Sequence, residues 1–130
     1  MKTPPPRRFI LIDDCEADNL FHEIVIRRAG FEGEIKIFEN SVDALEYLRR
    51  DGETLPTSIL LDINMPVLNG FELAEQATPL LRGKPTVVVV MLTSSHSPDD
   101  QERAKAIDII QGYVCKPLTV ALVTQMLHPS

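Results

Sequence analysis

Residues 8–30 read RFILIDDCEADNLFHEIVIRRAG, and two patterns meet inside them. Arg8 to Asp13 carry a continuous apolar run, the mark of a strand buried on both faces. From Ala17 to Ala29 the apolar positions shift to helical spacing, with Leu20, Phe21, Ile24, Val25 and Ala29 on the expected inner face and Gly30 as the stop. A doubly buried strand feeding an amphipathic helix predicts an α/β fold with a parallel sheet.

The same alternation recurs outward along the chain, giving five strand–helix units. Glu34 to Phe38 alternates polar and apolar residues, as a strand near a sheet edge does. Ser41 is the expected cap of a second helix with inner face Ala44, Leu45 and Leu48, broken at Asp51-Gly52. Ser58 to Asp62 reads as the third strand. Met65-Pro66 and Asn69-Gly70 mark a loop, and Phe71 to Thr78 a third helix whose end Pro79 should make irregular. Thr86 to Leu92, the most β-branched stretch, is the fourth strand. Ser97-Pro98-Asp99-Asp100 opens a fourth helix that runs on through Gln101 to Ala106. Gly112 to Cys115 form the fifth strand, Pro117 halts it, and Thr119 to Leu127 form the last helix. Parallel strands of this kind take right-handed crossovers and place helices on both faces.

Composition narrows the function. With 130 residues, 44% apolar and 25% charged, the chain suits one soluble domain with a real core. A net charge of −6 argues against direct nucleic-acid binding, which needs clustered Lys and Arg. Cys15 and Cys115 fit neither a metal motif nor a disulfide framework, so both are expected as reduced thiols in the cytosol. The run Val87 to Leu92 is too short for membrane insertion. MKTPPPRR has no apolar run behind it, so no signal peptide is expected, and residues 1–7 read as a stiff or disordered tail.

The chemistry gathers at the strand ends. Asp13-Asp14 close the first strand, Asp62 the third, Thr93 the fourth and Lys116 the fifth. All parallel strands end on one side, so these groups can share one crevice at a topological switch point. Three carboxylates together repel one another unless a cation offsets them. A hard divalent ion with oxygen ligands does this, and Mg2+ characteristically joins carboxylates to phosphate oxygens. Two aspartates after a strand can instead merely cap a helix; their coincidence with Asp62 and Lys116 favours the metal. Asp62 is the candidate nucleophile toward phosphorus, as in aspartyl-phosphate chemistry. Lys116, with Pro117 restricting its backbone, can supply an ammonium to the phosphoryl oxygens. Thr93 offers a hydroxyl, with Ser94 and Ser95 behind it. His22 is expected on the outer side of its helix as a surface residue, and His96 at the pocket rim.

Four segments in order, IDD at 12–14, LLDINMPVLNG at 60–70, MLTSS at 91–95 and GYVCKPL at 112–118, resemble the receiver domains of bacterial two-component response regulators. The likeness runs from about Phe9 to Leu127 and extends to small stand-alone receivers, similar to the chemotaxis regulator. It implies a flavodoxin-like, doubly wound five-stranded sheet in the order 2-1-3-4-5 with five helices, occupying residues 8–130. It implies that Asp62 takes a phosphoryl group from a sensor histidine kinase or histidine phosphotransfer protein. It implies that Asp14 and Asp62 bind Mg2+ directly together with the backbone carbonyl of Asn64, with Asp13 acting mainly through water. Thr93, Ser94 and Lys116 would contact the phosphate, and Asn64 and Ser95 would steer water in self-dephosphorylation. Tyr113 would be the aromatic switch that moves with Thr93, although such a residue alone reads as an ordinary half-buried strand aromatic. The Lys116–Pro117 peptide is expected to be cis. Output is expected to pass to a protein target over the fourth helix, fifth strand and fifth helix, in the cytoplasm.

Rival readings use the same residues. A haloacid-dehalogenase-type phosphatase needs a second Asp two residues after the nucleophile, where Asn64 stands, and an acidic pair after the lysine, where this chain has it first. A phosphorylation-independent interaction module does not need the complete site. A flavin domain needs a phosphate-binding Ser/Thr loop after the first strand, which is missing.

Overall fold

In the computed structural model, residues 5–52, 55–84, 86–94 and 97–128 are described. Five strands alternate with five helices: β1 (Arg8–Ile12), α1 (Glu16–Arg28), β2 (Glu34–Phe38), α2 (Ser41–Arg50), β3 (Thr57–Asp62), α3 (Gly70–Leu81), β4 (Val87–Thr93), α4 (Pro98–Ala106), β5 (Ile110–Cys115) and α5 (Val120–Leu127). The strands form one parallel sheet in the order β2-β1-β3-β4-β5, the expected α/β architecture. Every residue of β1 and β3 is buried, because each lies between two strands and beneath helices on both faces.

Strand alternation divides the core in two. Ile10, Ile12, Ile59 and Leu61 face α2 and α3, while Phe9, Leu11, Leu60 and Leu92 face α1 and α5. Register then fixes the site. Ile12 pairs with Leu61, Asp62 with Leu92, and Thr93 with Cys115. Asp13 therefore follows β1 beside Asp62, and Lys116 emerges one residue past Thr93, where its N–H donates to the Thr93 carbonyl at 2.7 Å.

Several local expectations are corrected. The inner face of α1 is Asn19, His22, Val25 and Ile26, whereas Leu20, Phe21 and Ile24 are 56%, 46% and 43% exposed. The helix is rotated because its first turn lies over the polar end of β1, where the Asn19 side chain donates to the Asp13 carbonyl at 2.8 Å. His22 is consequently buried rather than on the surface. The second helix is capped by Asn40, whose side chain accepts from the Asp43 N–H at 2.8 Å; Ser41 is buried and its hydroxyl accepts from the Leu68 N–H. The third helix continues through Pro79 to Leu81, with the Thr78 hydroxyl donating to the Ala74 carbonyl in the same turn. Residues 1–4 of the expected tail, and Ser95 and His96, lie outside the described residues.

At the opposite end of the sheet from Asp62, Arg8 opens β1 fully buried. It donates to Thr57 Oγ1 and Tyr47 OH at 3.0 Å and to both Asp51 oxygens at 3.2 and 2.8 Å. A buried guanidinium is tolerable only with such complete pairing. No described helix is long and apolar enough to cross a membrane.

Candidate functional site

The carboxyl ends of β1 and β3 bring Asp13, Asp14 and Asp62 together, with one oxygen of each within 4.8 Å of the others. Asp13 and Asp62 are buried and Asp14 is exposed, so the cluster opens to solvent on one side. Asp13 is fixed through its backbone, whose N–H donates to the Phe38 carbonyl of β2 at 3.1 Å, and through Oδ1, which accepts from the Cys15 N–H at 2.9 Å. Hard oxygen donors in this number suit a divalent cation of the Mg2+ class.

Lys116 reaches into the cluster from the end of β5. Its Nζ donates to Asp13 Oδ2 at 2.8 Å and to Asp18 Oδ2 at 2.9 Å, and stands 3.2 Å from Asp62 Oδ1. Burial opposes its charge, yet the hydrogen bonds to Asp13 and Asp18 hold its pKa well above the ordinary value. Asp62 shifts upward despite this neighbour. Burial is the main cause and the charge of Asp13 the next, and one ammonium shared among three carboxylates does not offset both. Such crowding is relieved by a further cation.

Thr93 ends β4 buried beside the cluster, and Ser94 after it is exposed. Tyr113 on β5 packs against the α2–α3 core. Its hydroxyl is buried with no acceptor in good hydrogen-bond geometry, but it lies near enough to Thr93 for the two to interact. The Lys116–Pro117 peptide is cis. Asn64 is exposed two residues past Asp62, in the loop that leads to α3.

That loop is held at both ends. Asn69 caps α3 by accepting from the Glu72 N–H, and Glu72 accepts from the Asn69 N–H, both at 2.9 Å. Gly70 donates to the Ile63 carbonyl at 2.8 Å, and a Cβ there would strike the Asp62 carbonyl oxygen. Between them Val67 adopts φ 69°, a left-handed conformation costly for a β-branched residue.

The sequence reading missed Asp18 and Asn19, and it assigned His22, Ser41 and Gly70 other places: a helix surface, a helix cap and a loop. His22 is buried one turn past Asp18; burial, then the charge of Lys116, lowers its pKa. A usable signal existed only for Asn69-Gly70, whose capping-box spacing to Glu72 is visible in the sequence.

A family model described as the response regulator receiver domain matches residues 9–128. The probable methanogenesis regulatory protein FilR2 of Methanothrix harundinacea is 33% identical over 122 residues, covering 92% of this chain and 77% of that protein. Response regulator Rcp1 of Synechocystis is 35% identical over 102 residues, covering 74% and 67%. A solved structure of Rcp1 in its Mn2+-bound form covers 96% of this chain and 97% of that one, at 24% identity and a TM-score of 0.74. The crystal structure of a response regulator receiver protein from Dyadobacter fermentans matches at 30% identity with a TM-score of 0.80, covering 92% and 94%.

Proposed function

The chain belongs to the response regulator receiver domain family of two-component systems, and from that membership we propose that it accepts a phosphoryl group on Asp62 from a phosphohistidine partner in a Mg2+-dependent reaction. The observation that carries this reading is the cluster of Asp13, Asp14 and Asp62 with the Lys116 ammonium 3.2 Å from Asp62 Oδ1. Asp14, Asp62 and the Asn64 carbonyl, with Asp13 mainly through water, would hold a divalent cation, which would supply the charge neutralisation that lets a carboxylate meet an anionic phosphoryl group. That Rcp1, a relative of the same fold, has been solved in a Mn2+-bound form supports a divalent metal as part of this reading.

The chain's own groups do the rest. An Asp62 carboxylate oxygen attacks phosphorus, the P–N bond to the donor imidazole breaks, and its electron pair stays on that nitrogen. Lys116 donates to an equatorial phosphoryl oxygen as charge spreads in the transition state, and the Thr93 hydroxyl and Ser94 face the same group. Asn64 takes the place where a dehalogenase-type phosphatase carries its general acid, so the domain acts as a phosphoacceptor rather than a turnover enzyme. Movement of Thr93 toward the phosphoryl group releases its contact with Tyr113 and shifts a pre-existing conformational equilibrium.

The readout surface is the face of α4, β5 and α5. Of α4 only Ala104 is buried, so this helix is lightly held and inexpensive to shift. The phosphohistidine partner, a kinase or phosphotransfer protein, docks beside the site on the exposed Leu20, Phe21 and Ile24 of α1. A cytoplasmic protein without direct nucleic-acid contact fits this role.

Mass spectrometry after acetyl phosphate treatment with Mg2+ tests the assignment. Wild type should gain one phosphoryl group and Asp62→Asn none; full labelling of the variant removes Asp62 from the role. Lys116→Ala should weaken the conformational response to phosphorylation, and an unaltered response removes that role from Lys116.

A further inference from the structure

We propose that Asp18 is a positioning residue for phosphoryl transfer: from the first turn of α1 it holds the Lys116 ammonium in place and aims its remaining N–H at Asp62. This rests on the phosphoacceptor reading above. An ammonium has three N–H groups, and three carboxylates surround this one, Asp13 at 2.8 Å, Asp18 at 2.9 Å and Asp62 at 3.2 Å. Asp13 and Asp62 both belong to the cluster suited to a divalent cation, and Asp18 does not. Asp18 is thus the one of the three whose charge is not also claimed by metal.

The lysine stem is long and flexible, so an ammonium tied only to metal-binding carboxylates has no partner of its own once those oxygens turn to a cation. Asp18 is well placed to remain that partner. Its helical turn is keyed to the strand end, since the buried Asn19 side chain donates to the Asp13 carbonyl at 2.8 Å and the Cys15 N–H to Asp13 Oδ1 at 2.9 Å. The Asp18 carboxylate therefore keeps a set distance from the β1 and β5 ends. Its role differs from a metal ligand's and from the nucleophile's, because it acts only through Lys116.

The test uses the full chain with acetyl phosphate as donor at saturating Mg2+. Loss of one partly exposed, charge-assisted hydrogen bond should lower the maximal phosphorylation rate of Asp18→Asn about tenfold. Mg2+ affinity, read from binding rather than from activity, should not change. Asp18→Glu should restore most of the rate. In a Lys116→Met background, Asp18→Asn should have no further effect, which a merely structural role does not predict. The Lys116 ammonium resonance in 15N NMR should be observable in wild type and lost by fast exchange in Asp18→Asn. A rate in Asp18→Asn equal to or above wild type, or an equal loss in the Lys116→Met background, overturns the inference while labelling of Asp62 leaves the phosphoacceptor reading standing. Failure of wild type to label at all removes that reading, and this one with it.

Discussion

Asp62→Asn should make the metal-free protein more stable at neutral pH, although it removes a charge that faces a lysine. Within 4.8 Å and at an effective dielectric constant of about 20, a like-charge pair costs at least about 3.5 kcal/mol. Asp62 forms two such pairs, with Asp13 and Asp14. The Lys116 ammonium, 3.2 Å from Asp62 Oδ1, returns about 5 kcal/mol on the same scale. A residual repulsion of about 2 kcal/mol remains, and burial of the carboxylate adds to it. Solvent screens the exposed Asp14, which brings the expected gain to about 1–2 kcal/mol. The pH dependence follows from the upward shift of Asp62 above its ordinary 3.8. Its protonated form favours the folded state fully below the unfolded-state value, and that contribution is lost as pH rises through the raised folded-state value. The gap between variant and wild type is therefore absent in acid, opens above pH 3.8 and is complete once pH exceeds the folded-state pKa of Asp62. Urea unfolding in a chelator, repeated across pH and then with added Mg2+, reads all of this. Mg2+ at about ten times its dissociation constant should stabilise wild type by about 1.4 kcal/mol and the variant much less. A metal-free variant no more stable than wild type at neutral pH, or one with equal Mg2+ stabilisation, refutes the charge balance drawn here.

Three further outcomes test parts that support the site. Asp51→Asn leaves the buried Arg8 guanidinium without its counter-charge and should cost about 3 kcal/mol in urea unfolding; a loss below about 1 kcal/mol means the guanidinium finds other compensation. Gly70→Ala drives a methyl into the Asp62 carbonyl and to 2.9 Å from the Ile63 Cα, so it should cost about 2 kcal/mol and slow phosphorylation. Normal labelling kinetics in that variant show that the loop absorbs the methyl without moving Asp62. Val67→Asn replaces a β-branched residue at φ 69° with one that tolerates the left-handed region and should add about 1 kcal/mol of stability. An unchanged melting temperature indicates that the exposed loop carries no strain.

Element type and order were legible because hydrophobic period is a local property. The runs ending at Asp13, Asp62, Thr93 and Cys115 are strands with their polar groups at one edge, as their patterns predict. The facing of α1 was not legible. Leu20, Phe21 and Ile24 sit at helical spacing, but the interior at that end of the sheet is polar, and Asn19 and His22 turn inward to meet it. Asn40 displaced Ser41 as cap because Ser41 is drawn into the contact with Leu68.

Charge partnership is a matter of distance in space, and the one-dimensional order of residues does not contain it. The chain's periodicity was enough to specify a parallel α/β sheet with carboxylates, a hydroxyl and a lysine at its strand ends. Only folding settled which of those carboxylates repel one another, and that a single ammonium serves Asp62 together with Asp13 and Asp18, the last two about a hundred residues away in sequence. Strand register sets those distances, and helix docking chooses which side of α1 reaches them.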